Sequence, residues 1–231
     1  MQEPRKRKVV AKGKSTRLPV RAHLLIVECD AEHLAKHGMD LGSKFAEYVR
    51  GQMPQKQIVV VRANSEGEMG RDFANALQEH SRGFRTVLIV GHSNEHGLKL
   101  TGEAMRSWPT VGRWLKVFAP DYLFLTACNA GKSEVVRSLF GEINSLREVY
   151  GSPALMNRAH TVPIGAILLS LLKTGRINAE DSSIYRLFGY VATGSQVCRW
   201  RKAEFGPGEE LNSALWDCIG NIANGLSESM R

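Results

Sequence analysis

Short runs of apolar and β-branched residues alternate along most of the chain with longer amphipathic segments. Strands are predicted at His23–Glu28, Gln57–Arg62, Thr86–Gly91, Tyr122–Ala127, Glu148–Ser152 and Leu187–Thr193. Helices are predicted at Leu41–Arg50, Met69–Ser81, Glu103–Phe118, Ser133–Leu146, Pro163–Lys173 and Asn212–Leu226. Strands that alternate with helices of this length form a parallel sheet with helices on both faces. The pattern therefore predicts an α/β fold with a mainly parallel six-stranded sheet.

Length and composition are those of one globular domain over residues 22–231. The chain has 231 residues, of which 43% are hydrophobic. The longest apolar run, Val162–Leu172, is too short to span a bilayer. The first 22 residues are mostly polar and basic, unlike a secretory signal. We therefore expect a cytoplasmic protein that does not enter a membrane, with its four cysteines reduced.

The positive charge is concentrated in residues 1–21. This segment holds eight Lys or Arg residues against one acid, Glu3, and so carries +7 of the net charge of +8. We expect it to be a disordered basic arm that precedes the folded domain. Such an arm either contacts a nucleic acid or an acidic partner, or is a solvated leader.

Reactive side chains follow two of the predicted strands. His92 comes after the run "VLIVG", and Cys128 comes after "LFLTA". In open parallel sheets, sites form beyond the carboxyl ends of the strands. Cys128 also precedes a predicted helix, whose N-terminal dipole favours a thiolate. If the two strands are neighbours, Cys128 can act as a nucleophile with His92 as its base. The backbone N–H groups of Ser93 and Cys128 can then hold the oxyanion.

Two other motifs share parts of these segments. The window Thr126–Ser133 ends in Gly-Lys-Ser like a phosphate-binding loop, but Thr126 replaces the first glycine of that motif. The window Gly91–Glu95 resembles the nucleophile elbow of a serine hydrolase with Ser93 as the nucleophile. Its last position is Glu95 where the elbow needs glycine, so the sequence favours this function less than the dyad.

Three more histidines raise separate questions. Cys29, His33 and His37 are four residues apart, which is a spacing that can bind zinc on a helix. No fourth ligand is evident, so we expect no metal and no other cofactor. His96 is an alternative to His92 as the base. We prefer His92 because it directly follows the apolar strand, whereas His96 is expected inside a hairpin.

The two strand ends resemble a known family. "TACNAG" resembles the Ala-Cys signature of caspase-like cysteine peptidases, and "GHSNEHGLKL" resembles their histidine strand end with its hairpin. Thr126 before Ala-Cys is most similar to the CHAT branch of this clan. The resemblance implies a caspase-like three-layer sandwich with His92 and Cys128 as the catalytic residues. Ser93 departs from the pattern, since the clan usually has glycine after its histidine.

The resemblance also implies a function. It indicates a cysteine endopeptidase that acts on a protein or peptide substrate and is a regulated effector of a stress or defence pathway. Activation by a partner or a small signal is expected, although no residue identifies either. The alternatives are a catalytically weak interaction module, which Ser93 favours, and a serine hydrolase.

Substrate specificity rests on two acids. Relatives in this clan recognise the residue before the cleaved bond near the carboxyl end of the first strand. Asp30 and Asp40 follow that strand here. A carboxylate in this pocket predicts cleavage after Arg or Lys. Asp40 also suits the N-cap of the helix predicted to begin at Leu41.

Overall fold

The computed structural model describes residues 21–38, 41–153, 158–175 and 198–204. Its strands are β1 (Ala22–Cys29), β2 (Ile58–Ala63), β3 (Phe84–Val90), β4 (Ser93–Asn94), β5 (Gly97–Leu98), β6 (Arg106–Ser107), β7 (Tyr122–Thr126), β8 (Glu148–Gly151) and β9 (Cys198–Arg201). Its helices are α1 (Ala31–Lys36), α2 (Leu41–Gln52), α3 (Glu66–Glu79), α4 (Trp108–Leu115), α5 (Ser133–Glu142) and α6 (Arg158–Thr174). Within these parts of the chain, no helix has the length and hydrophobicity needed to cross a membrane.

The main sheet has six strands in the order β2-β1-β3-β7-β8-β9. The first five are parallel to one another, and β9 pairs antiparallel with β8 at the edge. This confirms the predicted mainly parallel six-stranded sheet. The strand predicted at Leu187–Thr193 and the helix predicted at Asn212–Leu226 lie outside the described residues. A second, three-stranded antiparallel sheet, β4-β5-β6, follows β3 directly.

Helices cover the sheet on both faces and bury two cores. Alternate residues of β1 point to opposite faces, so Leu25 and Val27 join one core and Leu24 and Ile26 join the other. The first core also holds the buried faces of α3, α4 and α5. The second holds those of α2 and α6. The arrangement is therefore three layers, and burial on both faces explains why the strands are continuous apolar runs.

Helix starts follow local capping more closely than periodicity. The helix predicted from Glu103 is wrong at its beginning, because α4 starts at Trp108 with a proline in its first turn. The chain turns at Gly102, whose φ is +67°, and Arg106 and Ser107 then pair with β5 as strand β6. By contrast, α3 begins at Glu66 because the Ser65 hydroxyl accepts a hydrogen bond from the Glu68 N–H.

Candidate active site

The register of two neighbouring parallel strands brings His92 and Cys128 to the same edge of the sheet. Strands β3 and β7 pair directly, and their last pair is Val90 with Thr126. His92 and Cys128 each lie two residues further along their strands. Adjacent strands are about 4.8 Å apart, so both residues leave the sheet side by side. The condition for the predicted dyad, that the two strands are neighbours, is therefore met.

Two side-chain contacts join the loops that carry these residues. The Ser93 hydroxyl donates a hydrogen bond to the main-chain carbonyl of Cys128. Further out, the Lys132 ammonium lies 3.6 Å from the Glu95 carboxylate. The exposed ion pair contributes little, whereas the partly buried hydroxyl contact fixes the Cys128 carbonyl relative to the His92 loop.

The turn after Cys128 depends on Gly131. Its N–H donates to the Ser152 carbonyl at 2.8 Å, and its carbonyl accepts from the buried Trp200 indole N–H at 2.9 Å. A Cβ at Gly131 would overlap the carbonyl oxygen of Gly151. The turn therefore packs directly against the end of β8, and only glycine permits that approach.

The loop after His92 is a short hairpin held by Trp108. The Trp108 indole N–H donates to the Asn94 carbonyl at 2.9 Å. The Asn94 side chain accepts from the backbone N–H groups of His96 and Gly97 at 2.8 Å and 3.1 Å. The His96 side chain is 81% exposed in this turn. His92 is thus at the strand end, and His96 is in the hairpin turn.

His92 lies in a partly buried and charged environment. Burial lowers the pKa of His92, and the charges of His33, Lys99 and His37 lower it as well, whereas Asp30 acts in the opposite direction. The Nε2 atom of His92 is buried and has no hydrogen-bond partner among the described residues. With its pKa below the ordinary histidine value, the imidazole is neutral near pH 7 and can accept a proton.

The two cysteines whose side chains are described differ sharply in burial. Both are reduced thiols, with Cys128 half-buried and Cys29 fully buried. Burial, reinforced by the charges of Asp30 and Glu28, raises the pKa of the Cys29 thiol to about 12. Cys29 is therefore inert at neutral pH, and Cys128 is the reactive candidate.

The proposed zinc spacing does not converge. The rings of His33 and His37 are 4.3 Å apart, but Cys29 is buried on the preceding strand. Among the residues with described positions, no group of three His, Cys, Asp or Glu side chains could hold a metal ion. His33 instead packs against His92.

Of the two acids predicted to bind substrate, the structure describes Asp30 but not Asp40. Asp30 is only 2% exposed, and its carboxylate accepts a hydrogen bond from the Thr101 hydroxyl. It lies near the site, since its charge raises the pKa of His92. Asp40 lies outside the described residues, so its role stays a prediction.

Sequence reasoning missed the supports of both loops. Trp108 and Trp200 each donate an indole N–H to a main-chain carbonyl of one of the loops that follow His92 and Cys128, yet they lie 14 and 69 residues away from those carbonyls in sequence. A buried tryptophan needs a hydrogen-bond acceptor. The sequence therefore indicates that each tryptophan, if buried, has an acceptor, but it does not identify which carbonyl that is.

Comparisons with known proteins support the fold. No protein-family model matches the chain, and no curated protein matches it in sequence. Among solved structures, the chain is similar to a secreted C11 cysteine protease from Bacteroides thetaiotaomicron in complex with an irreversible peptide inhibitor. The TM-score is 0.58 at 12% identity, with 80% of this chain and 67% of that chain covered. A second structure of a secreted C11 cysteine protease from that organism, named iotapain, gives a TM-score of 0.54 at 8% identity, covering 80% and 68%. C11 proteases belong to the caspase-like clan, so the predicted caspase-like fold is confirmed.

Proposed function

We propose that this protein is a caspase-like cysteine endopeptidase in which Cys128 is the nucleophile and His92 is the general acid and base. The observation that carries the proposal is the placement of these residues beyond paired ends of neighbouring parallel strands, with the Ser93 hydroxyl bridging to the Cys128 carbonyl. A neutral imidazole beside a half-buried thiol is the arrangement that nucleophilic catalysis by cysteine requires. The caspase-like fold of the chain supports the same assignment.

The chemistry follows from these roles. His92 takes the proton of the Cys128 thiol, and the sulfur forms a bond to the scissile carbonyl carbon. The carbon–nitrogen bond then breaks, and the leaving amine receives that proton from His92, which leaves a thioester on Cys128. Water, deprotonated by His92, attacks the thioester and releases the carboxylic acid and the thiol. The backbone N–H groups of Ser93 and Cys128 are proposed to hold the oxyanion in both steps. No metal or organic cofactor takes part in this scheme.

The dyad is tested by single substitutions and a thiol-reactive peptide probe. Cys128→Ala should abolish both peptide cleavage and labelling, because no other group replaces the sulfur. His92→Ala should lower kcat by about 10²- to 10⁴-fold, the usual contribution of a general base. Cys29→Ala is the matched control and should change neither, because the pKa of that thiol is raised to about 12. Cleavage that survives in Cys128→Ala would disprove the assignment.

We further propose cleavage after Arg or Lys, with Asp40 as the acid that pairs with the substrate. Asp40 is preferred to Asp30 because the Asp30 carboxylate is buried and already accepts the Thr101 hydroxyl. A peptide library should show the basic preference in the wild type and its loss in Asp40→Asn, since removing one partner of such a pair costs about 2–5 kcal/mol. An unchanged preference would leave Asp40 with only the N-cap role.

The biological setting is also a proposal. The resemblance to the CHAT branch supports a cytoplasmic effector of a stress or defence pathway that is switched on by a partner protein or small signal. The basic arm is proposed to contact a nucleic acid or an acidic partner. Peptidase activity of the purified chain before and after addition of extract from stressed or infected cells tests the activation. Full activity of the purified chain alone would count against it.

A catalytically weak interaction module is the second candidate. Ser93 in place of glycine favours it, because the side chain at this position occupies space beside Cys128. This candidate predicts a folded protein that neither cleaves peptides nor reacts with the probe. The serine hydrolase has less support, because the Ser93 hydroxyl donates to a main-chain carbonyl and so is already engaged.

A further inference from the structure

An imidazole that the dyad does not use packs against the ring of the proposed base. The ring centroids of His33 and His92 are 5.0 Å apart, and their planes cross at 76°, an edge-to-face contact. His33 is on the outer, exposed side of this contact, and His92 is the more buried partner. His37, one helical turn further on, packs against His33 with the ring centroids 4.3 Å apart and the ring planes tilted by 44°.

The contact matters because a general base must hold one ring nitrogen toward the thiol. In many such sites a hydrogen bond on the other nitrogen fixes the ring. The Nε2 atom of His92 is buried and has no such bond among the described residues. No hydrogen bond at Nε2 therefore fixes the ring, and the His33 ring, which is in direct aromatic contact, is the group that can orient it by packing.

The helix that carries His33 is anchored to the fold, although α1 is only six residues long. Ala31 and Leu34 of that helix are buried in the fold. The residue before the helix, Asp30, donates its N–H to the Ala63 carbonyl at 3.0 Å and accepts the Thr101 hydroxyl through its carboxylate. The helix is thus fastened to β2 and to the loop after β5, which places the His33 ring.

We propose that His33 is a positioning residue that holds the His92 imidazole by edge-to-face packing in the orientation needed to take the Cys128 proton. This inference rests on the proposed peptidase function. His33 acts through its ring, so an uncharged aromatic side chain can replace it in this role.

The same contact has an electrostatic consequence. The charged groups that act on His92 are those of Asp30, His33, His37 and Lys99. Among these, the charge of His33 lowers the pKa of His92 and that of Asp30 raises it. Replacing His33 by a neutral ring therefore raises the His92 pKa, and neutralising Asp30 lowers it.

The kinetic test compares three variants of the full chain. His33→Ala should lower kcat by about fivefold with little change in KM, the size expected when an aromatic pair is lost. His33→Phe keeps the ring and should restore kcat to within about twofold of the wild type. Lys36→Ala is the matched control on the same helix and should match the wild type, because Lys36 is exposed and is not among the groups that act on His92. Equal rates in His33→Ala and the wild type, or no rescue in His33→Phe, would overturn the inference.

The second test is independent of turnover. In a Cys128→Ala background, NMR titration follows the His92 ring without its thiol partner. His33→Phe should raise the His92 pKa, and Asp30→Asn should lower it. His33→Ala should also remove the ring-current shift of the His92 ring protons, and His33→Phe should retain it. A His92 resonance that is insensitive to every His33 variant refutes the contact. If the wild type neither cleaves peptide nor is labelled at Cys128 by the thiol probe, with or without the activating extract, the proposed function fails, and the titration still decides whether His33 holds His92.

Discussion

At the scale of single residues, Ser93 separates the candidate functions. As the nucleophile of a serine hydrolase it would be indispensable. As the residue that anchors the Cys128 carbonyl it contributes one neutral hydrogen bond. Such a bond contributes about 0.5–1.5 kcal/mol, which corresponds to a factor of roughly two to ten in rate. The two roles therefore differ by orders of magnitude in their consequence for activity.

We predict that Ser93→Ala retains at least about a tenth of the wild-type kcat/KM, because only that hydrogen bond is lost. Ser93→Thr keeps the hydroxyl and serves as the control for its loss. Both are compared in steady-state peptide cleavage and in labelling of Cys128 by the thiol probe. A loss of activity as complete as that of Cys128→Ala would instead favour the serine hydrolase.

The residues of the candidate dyad can be predicted from the sequence, whereas the ring that packs against His92 cannot. His92 and Cys128 stand directly after apolar runs, so the rule for strand ends in parallel sheets found both. From the sequence alone, His33 is a candidate only for binding zinc. Its actual contact depends on the left-handed backbone of Asp30, whose φ is +61° and which begins a helix too short to show periodicity. Local sequence carries no signal for that turn.

At the scale of elements, strands were predicted better than helix boundaries. The prediction Tyr122–Ala127 differs by one residue from the observed Tyr122–Thr126, because burial on both faces keeps the run apolar. The helix predicted at Glu103–Phe118 was too long, because periodicity ignores the proline that fits only the first turn. Strands that are buried on both faces can be predicted from the sequence, because their whole length is apolar. Helix boundaries that are set by a cap depend on single residues and are harder to predict.

The turn after Cys128 provides a prediction at this scale. Gly131→Ala should destabilise the fold by about 2 kcal/mol or more, because the new methyl group overlaps the Gly151 carbonyl and both backbones are fixed. Thermal unfolding should show a fall in Tm of about 5 °C or more. Cys128 reactivity should fall as well, since the turn must shift.

Gly141→Ala is the matched control for that substitution. Gly141 lies in α5, and a Cβ there meets nothing within 4 Å. Alanine in a helix is favoured over glycine by about 0.5–1 kcal/mol, so Tm should rise slightly. If both variants behave alike, the close approach at Gly131 does not hold the turn.

At the scale of the whole molecule, the site and Arg21, the last residue of the predicted basic arm, lie at opposite ends of the parallel strands. The site lies beyond the carboxyl ends of β3 and β7. Arg21 directly precedes the amino end of β1. Arg21 pairs with Asp121 at 3.2 Å and also donates to the carbonyls of Phe84 and Ala119. This residue of the predicted arm therefore contacts the folded domain.

We predict that deleting residues 1–20 leaves Tm and intrinsic peptidase activity unchanged, because a polar, charged segment contributes little apolar burial. Arg21→Ala in the full chain should instead lower stability by about 2 kcal/mol, since it breaks a partly buried charged contact and leaves carbonyls without a donor.

Arg147→Ala is the control at the same carboxylate. Its side chain is 74% exposed and 3.9 Å from Asp121, so it should cost no more than about 0.5 kcal/mol. The three proteins are compared by thermal unfolding and peptide cleavage. A deletion that lowers Tm as much as Arg21→Ala would mean that the arm is part of the fold, and the domain boundary would then move toward the N-terminus.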